Sequence, residues 1–240
     1  MAAMTKRTSA DRRSGPPLSA VEICRRLRRR HGPVEPPEQW PVLDELIGAL
    51  LYQNTSDNNS DAAFQQLLRT FPTWNDVRQA RVDRIARAIR PAGLQQRKAP
   101  RIKRILQEVY ERHGELSLEF LHAMPADAAL AYLRSFPGVG PKTAACVLLF
   151  ACRQPVLPVD THVHRLSLRL GLIPARTSAD KAHEALTRLV PKRHVLEFHV
   201  LLIRHGRTVC DARAPQCTEC LLVDGCPEGI ERLRSGAAAP

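Results

Sequence analysis

The segment from Phe136 to Arg165, FPGVGPKTAACVLLFACRQPVLPVDTHVHR, limits what this chain can fold into more than any other. It opens on Pro137-Gly138-Val139-Gly140-Pro141, where two glycines bracket one apolar residue. Such a turn reverses tightly and brings its N–H groups close to a ligand. Directly behind it, Thr143 to Cys152 is apolar on every side, the pattern of a helix buried all round and central to its fold. The N–H groups of that helix's first turn have no intrahelical acceptor, so the turn can hold a phosphate. Lys142 stands in the same turn, where the positive end of the helix dipole disfavours a protonated amine. A neutral lysine is a candidate nucleophile toward carbon. Further on, Asp160 precedes a second amphipathic helix and suits its N-cap, accepting from N–H groups two and three residues later. Read singly, Asp160 is a cap and Lys142 a phosphate-touching surface lysine. Their joint appearance around one hairpin points to chemistry.

Elsewhere proline and glycine punctuate a series of helical patterns, and no period-2 strand pattern appears, so the fold class is all-α. Ala20 to Arg30 predicts a short helix with a very basic face, capped by Ser19 and followed by a Pro-rich joint over Pro33 to Pro37. Leu43, Leu46, Ile47, Leu50 and Leu51 recur at helical spacing and stop at the polar turn Gln53-Asn54-Thr55-Ser56-Asp57. Ile102, Ile105, Leu106, Val109 and Tyr110 form a strong amphipathic helix closed by His113-Gly114. Lys98, Arg101, Lys103 and Arg104 decorate its start, as a solvated face or as DNA contacts. Further helices are expected over 161–172, 179–190 and 195–207.

Thirty-six Lys and Arg against twenty-four Asp and Glu leave a formal net charge of +12 and a pI near 10 in 240 residues. That balance calls for a polyanionic partner without distinguishing nucleic acid from an acidic membrane surface. No run of apolar residues is long enough to span a bilayer. Residues 1–17 are Arg/Lys/Ser-rich without an apolar core, so they read as a disordered basic tail and not as a secretory signal.

Of seven cysteines, Cys24, Cys146 and Cys152 fall in apolar helical stretches and read as buried thiols. Cys210, Cys217, Cys220 and Cys226 follow C-x6-C-x2-C-x5-C. Four thiolates so close suit one metal centre, and spacing alone leaves structural zinc and an iron–sulfur cluster both open.

The hairpin Gly138-Val139-Gly140-Pro141-Lys142-Thr143, the step from Lys142 to Asp160 in Val159-Asp160-Thr161-His162, His205-Gly206-Arg207 and the cysteine loop resemble the helix-hairpin-helix glycosylases of the endonuclease III type. The resemblance runs from about residue 20 to 228. It implies two helical domains flanking a DNA-binding cleft: a six-helix domain over 34–154, and a cluster domain of 18–33 plus 155–229, with a flexible tail over 230–240. It further implies a [4Fe–4S] cluster on Cys210, Cys217, Cys220 and Cys226. Lys142 becomes the nucleophile on the sugar and Asp160 the carboxylate that steadies the developing charge, the two meeting across the cleft. Leu50 to Asp57 resembles the turn whose glutamine fills the gap left by the extruded base, here Gln53. Gly93 to Ala99 resembles the loop whose leucine wedges into the stack, here Leu94. Gly138, Val139, Gly140, Thr143 and His162 complete the implied DNA contacts.

The implied activity is excision of a damaged base, an oxidised pyrimidine in the first instance, followed by β-elimination at the abasic site. The implied partner is double-stranded DNA containing damaged bases or abasic sites, bound by a monomer in the cytoplasm at the nucleoid, without a membrane. Two departures bear on specificity: Tyr52 stands where relatives often have a small residue, and Pro141 where a basic residue is common. The competing readings are a monofunctional or mismatch glycosylase, a non-catalytic DNA-docking protein and a zinc-stabilised architectural protein.

Overall fold

The structure, a computed structural model, describes residues 18–236; the basic tail at 1–17 and residues 237–240 lie outside it. Every regular element among the described residues is helical. No helix among them is long and apolar enough to cross a membrane. The described residues divide into two compact units, 37–158 and 18–36 with 159–236. The crossings lie a few residues C-terminal to the expected boundaries, at Pro36–Pro37 and Pro158–Val159.

The continuous unit holds α2 (Val42–Tyr52), α3 (Asp57–Thr70), α4 (Trp74–Gln79), α5 (Val82–Ala88), α6 (Gln95–His113), α7 (Ala126–Arg134) and α8 (Pro141–Phe150). That makes seven α-helical segments and not six, because extended backbone at Ala80 and Arg81 separates α4 from α5. The leucine spacing of α2 buries Leu43, Leu46, Ile47, Leu50 and Leu51, each at most 2% exposed. Thr143 through Leu149 of α8 are all buried, as the apolar pattern requires. One apolar core joins α2, α8 and the buried face of α6.

The second unit holds α1 (Ala20–His31), α9 (Thr161–Arg169), α10 (Ala179–Leu189), α11 (Val195–Thr208) and α12 (Pro227–Arg234), with α1 and α9 packed on α11. Ser19 caps α1 by accepting from Glu22 N at 3.2 Å. The basic face of α1 is largely paired: Arg26 with Glu22 and Asp224, Arg28 with Glu197, and Arg30 with Glu219. Residues 230–234, expected as the start of a flexible tail, belong instead to α12, which the sulfur of Cys226 caps and Pro227 starts at a first-turn position needing no N–H partner.

Candidate active site

The hairpin between α7 and α8 follows from its glycines and its two apolar anchors. Phe136 and Val139 are 2% and 5% exposed, so the turn is pinned to the core from both sides. Gly138 has φ 76°, and a β-carbon there would sit 2.2 Å from Nε of Arg101, so both conformation and space demand glycine. Gly140 is the N-cap of α8, and Pro141 follows at a position where its missing N–H costs nothing. Lys142 is exposed in the first turn of α8. Thr143 is 5% exposed, so it and Val139 can meet a ligand through backbone but not through side chain.

Glu45, on α2, escaped the sequence reading. Burial pushes its carboxyl up to about 7, while the positive charges of Lys142 and Arg153 pull it back down. It is a half-buried acid in the electrostatic reach of the candidate nucleophile. Nothing in the adjacent Asp44-Glu45 pair signals this.

Gln53 does not project freely. Its amide donates to Gly138 O at 3.0 Å and Thr143 Oγ1 at 3.1 Å, and its Oε1 accepts from Arg101 at 3.3 Å. The next residue, Asn54, is exposed with φ 55°. Leu94 is 47% exposed and, at φ 48°, left-handed. A leucine bared to solvent in a backbone region that L-residues avoid is a structural cost, and such costs gather at functional sites. Tyr52 is half-buried and its hydroxyl donates to Asp61.

In the second unit Asp160 caps α9, with Oδ1 accepting from Val163 N at 2.7 Å. His162, expected as a DNA contact, is half-buried: its Nδ1 lies 3.1 Å from a guanidinium nitrogen of Arg165. A β-carbon at Gly206 would lie 2.6 Å from that Nδ1, so the glycine of His205-Gly206-Arg207 makes room for this ring. His205 is buried between His31 and Cys220, at 3.2 and 3.3 Å, and burial pushes its pKa down to about 4.

Cys210, Cys217, Cys220 and Cys226 line one small pocket. All four are free of disulfides. N–H donors already point at the sulfurs: Arg169 at Cys210 at 3.2 Å and Gly229 N at Cys226 at 3.3 Å. Burial holds the thiols of Cys217, Cys220 and Cys226 above the ordinary range, and their mutual repulsion as thiolates adds to it. Four sulfurs around one pocket, two of them already receiving N–H donors, fit a four-thiolate metal centre. Cys24, His194 and Glu197 also bring ligand atoms within 4.8 Å of one another. There, however, Arg28 already neutralises Glu197 at 2.6 Å and Arg193 donates to His194 at 3.2 Å, which disfavours a cation.

Residues 47–192 match the family model of the HhH-GPD superfamily base excision DNA repair proteins. The chain belongs to that superfamily. Endonuclease III of Thermotoga maritima is 32% identical over 207 residues, covering 86% of this chain and 90% of the relative. The Arabidopsis thaliana protein At3g47830 is 40% identical over 170 residues, and the match spans 71% of this chain but 58% of that protein. Among solved structures, a trapped endonuclease III–DNA covalent intermediate superposes with a TM-score of 0.76 at 27% identity, covering 90% of this chain and all of that one. As an HhH-GPD protein the chain is a base-excision-repair DNA glycosylase with a helical fold.

Proposed function

We propose that this HhH-GPD protein is a bifunctional DNA glycosylase and abasic-site lyase, with oxidised pyrimidines in duplex DNA as its substrate class. The observation that carries the reading is Lys142, exposed in the first turn of α8 directly behind a hairpin built to approach a phosphate. A base inside a duplex hides its glycosidic carbon, so the nucleotide must rotate out. The hairpin and helix amides hold the backbone without reading sequence. Exposed Leu94 offsets lost stacking on one side, and the Gln53–Asn54 turn occupies the vacated position.

The amine of Lys142 then attacks C1′. The glycosidic bond breaks, and the base leaves with its electron pair and gains a proton. Loss of a proton from nitrogen and opening of the sugar ring give an imine. This acidifies C2′, whose proton is removed as the C3′–O bond breaks and the strand is cut 3′ to the lesion. Asp160 supplies the carboxylate that stabilises the cationic sugar and assists proton movement. Cys210, Cys217, Cys220 and Cys226 would hold a [4Fe–4S] cluster, which when bound ties the C-terminal loop to its unit and couples metal to folding. The protein acts as a monomer on nucleoid DNA, a partner that suits its +12 charge.

The test is a panel of duplexes, each with one defined lesion or an abasic site, incubated with and without borohydride. Wild-type protein becomes covalently trapped, whereas Lys142→Ala binds DNA but neither excises nor traps. Excision without trapping would instead return a monofunctional glycosylase, and trapping of Lys142→Ala at the wild-type rate would remove Lys142 from the reaction.

A further inference from the structure

Lys98 is 3% exposed, and its ammonium is fully engaged. It donates to Leu51 O at 2.8 Å, Thr55 Oγ1 at 2.7 Å and Ala92 O at 3.0 Å. None of these acceptors is a carboxylate. Leu51 O belongs to the last turn of α2, where the negative end of the helix dipole compensates a cation. Ala92 ends the 3-10 turn Arg90–Ala92. Thr55 Oγ1 lies 2.5 Å from Ala92 O and 3.1 Å from Gln53 O, which closes the network.

The two backbones so joined lead straight into Gln53–Asn54 on one side and Gly93–Leu94 on the other. Each contains a non-glycine residue in the left-handed region, Asn54 at φ 55° and Leu94 at φ 48°. Two strained, solvent-facing turns are thus bridged by one buried charge. Burying an ammonium is costly, and an apolar side chain of similar length would fill the space with less desolvation. What it would not do is fix the spacing of two irregular segments that share no secondary structure.

We propose that Lys98 is a positioning residue that locks the Gln53–Asn54 turn and the Leu94 loop together, so that they enter the DNA stack as one rigid wedge. This rests on the base-extruding role given above to those two segments. Without the ammonium each turn relaxes separately, and extrusion weakens while the reaction at an already accessible sugar does not.

The experiment compares full-length wild type, Lys98→Met and Thr55→Val. Extrusion is read on binding, by fluorescence of 2-aminopurine placed next to a non-cleavable lesion analogue. Lyase activity is read by borohydride trapping on an abasic site in duplex DNA and on the same site in a single strand, where no base stack must be opened. For Lys98→Met the expected result is loss of the 2-aminopurine signal and a roughly 10²-fold drop in trapping on duplex, of the size a small misplacement costs. Trapping on the single strand stays within about twofold. Thr55→Val removes one member of the same network, so it shows the same pattern at smaller size even if Lys98→Met fails to fold. Equal losses on both substrates would mean Lys98 only stabilises the fold, and an unchanged fluorescence signal would overturn the clamp. Absence of trapping by wild type with extrusion intact would instead strike the lyase reading and leave the clamp standing.

Discussion

Glu45 ties the stability of the continuous unit to pH in a direction opposite to that of most carboxylates. In the unfolded chain it ionises near its ordinary 4.5; folded, burial raises it to about 7 against the pull of Lys142 and Arg153. Between those values the folded state keeps a proton that the unfolded state has released. Its contribution is therefore fully present below about pH 4.5 and is lost as pH rises through 7. Each tenfold difference in proton affinity is about 1.4 kcal/mol, so the loss approaches about 3 kcal/mol as an upper bound. Both tryptophans, Trp40 and Trp74, lie in this unit, so their fluorescence during guanidinium unfolding reports on it alone. The comparison is wild type against Glu45→Gln at pH 4.5, 6 and 8. Asp44 is also raised by burial and pushes the same way, which is why the difference between the two proteins is the quantity to read. Wild type should lose stability relative to Glu45→Gln as pH rises, and Lys142→Met should extend that loss above pH 7 by removing a charge that favours ionisation. Parallel pH profiles for wild type and Glu45→Gln would refute the buried-acid assignment.

Gly138→Ala should destabilise the protein by about 1–2 kcal/mol through its left-handed backbone, and by more where Arg101 must move, with DNA affinity falling in a binding titration. Asp160→Asn keeps an acceptor for Val163 N and should leave the melting temperature near wild type, whereas Asp160→Ala should lose about 1 kcal/mol; excision slows in both. Freshly purified protein should contain about four irons per chain and show a broad visible band. Zinc in place of iron would end the cluster reading, and Cys220→Ser should lose the band together with the order of the C-terminal loop.

The helices were legible because their apolar residues repeat at helical spacing: the leucines of α2 and the isoleucines of α6 are buried as that spacing requires. The hairpin was legible because its two glycines and its proline each answer a backbone demand that few other residues meet. Polar side chains were not, because composition does not say which way they turn. Lys98, Arg101, Lys103 and Arg104 read alike as a solvated or DNA-facing group. In the structure Lys98 is buried, Arg101 covers Gly138, Lys103 donates to Ala80 O and Arg104 pairs with Glu108. Gln53, read as part of a polar turn and as the gap-filling glutamine, has its amide tied to three partners. Glu45 was invisible for the same reason, since burial of an acid depends on neighbours distant in sequence.

The first turns of α6 draw these strands together. Lys98 and Arg101 are three residues apart and so share a face of that helix. One reaches the backbones entering the Gln53 turn and the Leu94 loop; the other reaches the Gln53 side chain and lies across the hairpin at Gly138. Leu94 itself is the N-cap of the same helix. A single rigid element therefore references three irregular segments: the Gln53–Asn54 turn, the Gly93–Leu94 loop and the Gly138 hairpin. Each of them carries a left-handed residue: glycine at 138 in the hairpin, and the non-glycine Asn54 and Leu94 in the other two, where that backbone is a cost. Flexible loops would lose, on ordering against DNA, the conformational entropy that this arrangement has already surrendered on folding. The mutational consequence is distinct for each: loss of Lys98 should uncouple the Gln53–Asn54 turn from the Leu94 loop, while loss of Arg101 should remove one of three partners of the Gln53 amide and loosen the hairpin at Gly138, weakening DNA affinity in a binding titration on every substrate alike.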